Sequence, residues 1–238
     1  MAALEAEGPA AVPGTAAWWR ARAARDARRR PRSDGLTLDR ITAAAVTVID
    51  DEGLDALTMR RLADELGAGA ASLYRHVANR DELLVEILDH VLGELREPPP
   101  FPDWRSGVDW LARELHRVLA RHHAVVDLLP GDRLLGPNAM RARELGLRHL
   151  VAHGFGHEDA TQVHAVLVGW VLGTSMLSMG SRRRVPGDVP RTEVYRRAAA
   201  DRYPTVRELA RVGLPRRDVV FDLGLTALLD GIEVRYRR

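Results

Sequence analysis

The sequence predicts an all-α protein, with a three-helix unit of the helix-turn-helix kind followed by a larger helical domain. Three observations predict it. Thr58 to Val77, TMRRLADELGAGAASLYRHV, spell two short helices joined by a glycine-bearing turn. Apolar residues on both sides recur at three- and four-residue spacing. A proline-rich break, REPPPFPD at 96–103, then separates this stretch from further helical patterns.

The chain divides into a flexible arginine-rich arm over 1–34, a helix-turn-helix domain over 35–82 and a helical domain over 83–238. Residues 1–32 hold seven arginines against Glu5, Glu7 and Asp26, so the rest of the chain is slightly acidic for a total of +2. Arg28, Arg29 and Arg30 stand just ahead of the first helix, where a basic arm can follow phosphates or enter a minor groove. A solvated tail fits the same composition. Trp18 and Trp19 are poorly placed in such a tail, and they can anchor the arm on the body of the protein.

Ile41, Ala44, Ala45, Val48 and Ile49 form the apolar face of the first helix, with Thr37 as its N-cap and Gly53 at its end. Leu62, Ala63 and Leu66 form that of the second, which Thr58 caps and Gly67 ends through a left-handed conformation. In the third, Leu73 and Val77 pack inward, leaving Ala70, Ala71, Ser72, Tyr74, Arg75 and His76 to face outward. Small residues at its start let the backbone approach base edges, and Tyr74, Arg75 and His76 can donate to phosphate oxygens. Asn79 with Glu82 resembles a capping box that opens a fourth helix through Leu95.

Beyond the break, Trp104, Val108, Leu111, Leu115, Val118 and Leu119 mark a helix of about 18 residues capped by Asp103. Shorter helical patterns cover 123–129 and 138–152, and a long apolar one runs from Ala160 to Ser181 without Asp, Glu or Arg. Thr161, Gln162, His164, Thr174, Ser175 and Ser178 interrupt its apolar character and argue against a membrane span. A helix apolar on most sides needs neighbours on most sides. Either a subunit interface, with Gly169 and Gly173 admitting a second helix, or an internal core supplies them. A loop at 182–190, a helix over 192–203 and a final helix over 218–236 complete the chain.

Composition narrows the function. Cysteine is absent, which excludes disulfides and thiolate metal sites, and the first residues lack the basic start of a signal peptide, so the cytoplasm is expected. All 35 basic residues are arginine. No phosphate-binding glycine loop or G-x-S-x-G elbow is present, and neither catalytic residues nor a cofactor are expected. His149 and His153, four apart, are the best support for a metal-dependent enzyme, but no H-E-x-x-H sequence accompanies them and no metal site is assigned.

AAAVTVIDDEGLDALTMRRLADELGAGAASLYRHVANRDELL, residues 43–84, resembles the tetracycline-repressor (TetR) family of ligand-responsive transcriptional regulators. Glu52-Gly53, Thr58 to Arg60 and Leu73 to Leu83 carry the family's pattern. The resemblance implies that Thr58, Arg60, Ala70, Ser72, Tyr74, His76 and Arg80 lie at the DNA surface. Arg60 would read a guanine edge, and Tyr74, His76 and Arg80 would hold phosphates. Phe221 to Gly231 resembles the closing helix of the tetracycline-repressor branch, where two helices pair with their copies. Gly169, Gly173, Phe221, Leu225 and Leu228 are thus the dimer-interface candidates.

The implied protein is a homodimeric repressor on a palindromic double-stranded operator, released by a small molecule that binds the C-terminal domain. An activator, or a regulator without an effector, fits the same helix-turn-helix. Leu111, Leu115 and Leu129 stand where the tetracycline repressor has polar or histidine drug contacts, so a more apolar effector is expected. With His149, Trp170 and Thr174 they are the pocket candidates, each of which also fits a plain core position.

Overall fold

The computed structural model describes residues 11–28, 36–128, 134–180 and 189–236. The chain splits into two compact units, Met1–Thr161 and Gln162–Arg238. Among the described residues every regular element is helical.

In the first unit, α1 (Ala16–Arg28) precedes the three-helix head, made of α2 (Leu38–Glu52), α3 (Met59–Leu66) and α4 (Ala70–Tyr74). Helix α5 (Arg80–Leu92) leaves the head, followed by α6 (Trp104–Arg121) and α7 (Pro137–Ala152). Short 3-10 turns at Leu54–Ala56 and His123–Leu128 link α2 to α3 and α6 to α7. The caps are those the sequence predicts. Thr37 Oγ1 accepts the Arg40 amide at 3.2 Å, Thr58 Oγ1 that of Arg61 at 3.0 Å, and Asp103 that of Ser106 at 2.7 Å. Gly67 has φ +60° and ψ 31°, the left-handed conformation that turns α3 toward α4.

Ile41, Ile49, Leu62, Leu73, Leu83 and Ile87 are wholly buried and join α2 through α5 into one core. Each such side chain contributes about 1.5–3 kcal/mol by leaving water. The same cluster continues into Val118 of α6 and Ala139 of α7. The division expected between residues 82 and 83 therefore falls inside α5, a continuous helix within one core, and the compact unit extends to Thr161.

The expectation of a flexible arm over 1–34 is corrected where its residues are described. Residues 16–28 form a helix with Trp18 and Arg22 buried, because both find partners on α5. Trp18 anchors it as the sequence suggested.

The second unit holds most of α8 (His157–Gly180), then α9 (Arg191–Arg196), α10 (Pro204–Val212) and α11 (Arg217–Arg235). By length and composition alone α8 is long and apolar enough to cross a membrane. Its buried stripe is Ala160, Val163, Leu167, Val171 and Ser175, and that of α11 is Phe221, Leu225, Leu229 and Ile232. The single helix expected over 192–203 is shortened to the six-residue α9, and α10, which the sequence reading did not name, follows from Pro204 and packs against α9. Pro204 sets the start of α10: the residue before a proline is forced out of helical geometry, and Tyr203 has φ −133°.

Candidate nucleic-acid interface and the effector-side residues

Only five residues make up α4, and they are held from behind by Leu73 and by Val77 just beyond, both buried. Ala70, Ala71, Tyr74 and Arg75 are exposed as the spacing predicts, whereas Ser72 and His76, expected outward with them, are half-buried. Tyr74 keeps half its surface in solvent, and Arg75 donates to Ser72 Oγ at 3.0 Å. On α3, neighbouring arginines take different roles. Arg61 is committed to Glu52 at 2.6 Å and Glu65 at 2.8 Å, a pairing that pushes its pKa up. Arg60 is exposed and makes no ion pair among the described residues, which leaves its planar fork for a ligand.

Thr58 is exposed, and its oxygen accepts the α3 amide while its hydroxyl proton remains to donate. Arg80, expected at phosphate, spends two of its five donors inside the protein. Its Nε and Nη2 reach the carbonyls of Leu57 and Leu54, each at 3.2 Å, and brace the turn ahead of α3. The capping box at Asn79 forms on one side only. Asn79 accepts the Glu82 amide at 2.9 Å, but Glu82 reaches the Ala78 amide, at 2.9 Å, and the indole of Trp18. These two bonds and the nearby Arg25 and Arg22 hold the Glu82 carboxyl below its ordinary range, against the larger opposing effect of burial. Arg29, Arg30 and the side chain of Arg28 lie outside the described residues.

The pocket candidates fall in both units. In the first, Leu111 and Leu115 are half-buried on α6, and Leu115 packs against the head-to-α7 core. His149 places Nε2 3.1 Å from the Trp104 carbonyl, and its ring lies so close over Gly107 that a Cβ there would come within 2.1 Å. Burial pushes its pKa down. His153 Nδ1 lies 2.8 Å from the His149 carbonyl, so a backbone carbonyl already faces one ring nitrogen of each histidine of the metal alternative. Leu129 is outside the described residues.

In the second unit, Trp170 lies over Gly224, where a Cβ would come within 1.9 Å of the indole, and its buried Nε1 has no hydrogen-bond partner among the described residues. Thr174 bonds back to the carbonyls of Trp170 and Val171 at 2.8 and 3.1 Å. Close helix approach falls at Gly224, whereas a Cβ at Gly169 or Gly173 would meet nothing within 4 Å. Phe221 and Leu225, expected at the dimer interface, are buried within their own unit and Leu228 is half-buried. The exposed apolar residues of α11 are instead Val219, Val220, Leu223 and Val234, beside which α8 exposes Val166, Met176 and Leu177 as its own.

An all-helical chain whose exposed short helix follows a left-handed glycine turn, with an uncommitted arginine on the preceding helix, has the form of a helix-turn-helix DNA-binding protein. Comparison with known proteins fixes the family. Residues 41–87 match the model for bacterial regulatory proteins of the tetR family, and residues 97–236 match the tetracyclin repressor-like C-terminal domain. The HTH-type transcriptional repressor DrrR1 of Streptomyces coeruleorubidus is 34% identical over 212 residues, covering 84% of this chain and 78% of the relative.

The class A tetracycline repressor of Escherichia coli is 26% identical over 204 residues, 82% of this chain and 89% of its own. The crystal structure of ActR from Streptomyces coelicolor in complex with actinorhodin aligns with a TM-score of 0.71 and 34% identity, covering 84% of this chain and 96% of that one. The chain belongs to the TetR family of transcriptional repressors. It is a DNA-binding regulator and not an enzyme.

Proposed function

We propose that this repressor works as a homodimer on a palindromic operator and is released by a small, largely apolar effector in the cytoplasm. The observation that carries the DNA half is the presentation of α4, with Leu73 and Val77 behind it, Ala70 and Tyr74 outward, and Arg60 uncommitted beside it. Arg60 reads a base edge, Tyr74 and His76 hold phosphates with Thr58, Ala70 and Ser72 alongside, and Arg80 serves phosphate with its remaining donors. Two such helices about 34 Å apart meet successive major grooves. The solvent-facing apolar residues of α8 and α11 are the surface on which a second copy pairs, with Gly169 and Gly173 as the open positions.

The effector half rests on the C-terminal domain match and on the ActR structures solved with actinorhodin and with (S)-DNPA. Leu111, Leu115 and Leu129 make its site apolar. An effector that favours one head spacing lowers DNA affinity by the factor by which DNA lowers effector affinity.

Genome-fragment selection with the purified protein, followed by footprinting across a salt series, tests the proposal. A short palindrome is expected, and sequence-independent retention alone would overturn the operator reading. On the recovered site, Arg60→Ala is expected to cost about 1–3 kcal/mol and relax one base per half-site. Equal weakening on random DNA would reassign Arg60 to a phosphate.

A further inference from the structure

Helix α1 makes contacts that neither base reading nor effector binding requires. Arg22, buried, places Nε 2.6 Å from Glu86 Oε1 on α5, and its Nη1 donates to the carbonyl of His76, just past α4, at 3.0 Å. One turn earlier, Trp18 donates to Glu82 Oε1 on α5 at 3.0 Å, and Glu82 in turn holds the Ala78 amide in the α4–α5 link. Trp19, edge-on to Trp18 with ring centroids 4.7 Å apart, reaches the start of α7. A Cβ on Gly136, the residue before α7, would come within 2.7 Å of the Trp19 indole and 2.1 Å of Asp89 Oδ1. Asp89 of α5 itself accepts the amides of Asn138 and Ala139 at 3.2 and 3.0 Å.

One helix thus touches the chain just past α4, the helix that leaves the head, and the first turn of α7. We propose that α1 is a strut that positions α4 for DNA reading, with Arg22 the positioning residue that fixes the end of α4 against α5 while Trp19 seats the strut on α7. The proposal rests on the DNA-reading role of α4. Packing alone sets the direction of α4 weakly, because so short a helix has only Leu73 and Val77 as buried anchors. A buried ion pair adds little stability over apolar side chains of the same volume. What Arg22 adds is direction, since its Nη1 donates to the His76 carbonyl while its Nε is held in ion-pair contact with Glu86.

The test uses the absence of cysteine. Asp64→Cys on α3 and Glu144→Cys on α7, both exposed, take one spin label each, and labelled subunits are diluted into unlabelled protein. Pulsed distance measurement without DNA is made on this protein and on the same protein carrying Arg22→Met with Glu86→Leu. The second pair replaces the ion pair with apolar groups and removes the bond to His76 without stranding a buried charge.

The expected result is a broadened α3-to-α7 distance distribution in the double variant, with about tenfold weaker binding to the selected operator, about 1.4 kcal/mol, and unchanged binding to random DNA. A distribution as narrow as the parent's overturns the strut, whether or not operator binding falls. Because the distances are read without DNA, failure to find an operator would sink the operator reading and leave the strut to stand or fall by itself.

Discussion

The two compact units are held by different means. Among the described residues, the first buries Arg22, Glu82, Glu86, Asp89, Glu114 and His122, whereas the only buried polar residue of the second is Ser175. Glu82 and Asp89 accept backbone amides, and Arg22 and Glu86 meet as a close ion pair. Glu114 is bonded by Arg117 and Arg96, which hold its carboxyl far below the usual range, and His122 stands between Asp50 at 2.7 Å and Glu94 at 3.0 Å. In the second unit apolar stripes face inward, and Leu177, Val212 and Leu223 remain more than two-thirds exposed. Directional bonds specify a single arrangement, as DNA reading requires, while apolar faces accept a range of neighbours and leave area for a partner.

The comparison breaks most visibly at His122. His122→Ala removes the side chain that bonds both Asp50 of α2 and Glu94, just past α5, and is expected to cost about 3 kcal/mol in denaturant unfolding, since each bond to a charged group contributes about 1.5–3 kcal/mol. A loss under 1 kcal/mol would show that the polar cluster does not hold the first unit.

Glu86 gives the next effect. Burial pushes its carboxyl up to about 7, with Asp26 and Asp89 adding to the rise against the pull of Arg22. The folded state therefore takes up a proton before the unfolded chain does. The favourable contribution is complete below pH 4.5 and is lost as pH rises through about 7. Relative to Glu86→Gln, the parent is expected to lose up to about 3 kcal/mol between pH 4.5 and 8, and parallel pH profiles would refute this.

Smaller still is overpacking in the second unit. Gly224→Ala drives a methyl into the Trp170 ring and is expected to cost about 1–3 kcal/mol, with a shifted tryptophan emission. The same substitution at Gly169, where a Cβ meets nothing within 4 Å among the described residues, leaves the subunit fold within about 0.5 kcal/mol. Least disruptive to the subunit is Leu223→Glu, expected to leave helix content intact while sedimentation shows monomers. A dimer unchanged in affinity would move the interface elsewhere.

The parts legible in the sequence are those fixed by near neighbours. Thr37, Thr58, Asn79 and Asp103 act within three residues of themselves, and the buried face of α2 follows from its period. Residues 16–28 were not legible as a docked helix, because Trp18 and Arg22 meet partners 64 residues on at Glu82 and Glu86. Nothing in an arginine-rich stretch distinguishes a guanidinium in water from one on a distant carboxylate. The inward face of α11 was hidden for the opposite reason. Phe221 and Leu225 alternate with Val219 and Leu223, so apolar residues surround the helix and periodicity names no side.

Gly136 carries a consequence for building hybrid regulators. Its missing side chain admits both the Trp19 indole of α1 and the carboxylate of Asp89. A reading head grafted onto a relative's effector domain at the proline-rich break would bring its tryptophan and leave its glycine behind. Recombination that keeps a head functional therefore transfers residue 136 together with α1, although more than a hundred positions separate them in the chain.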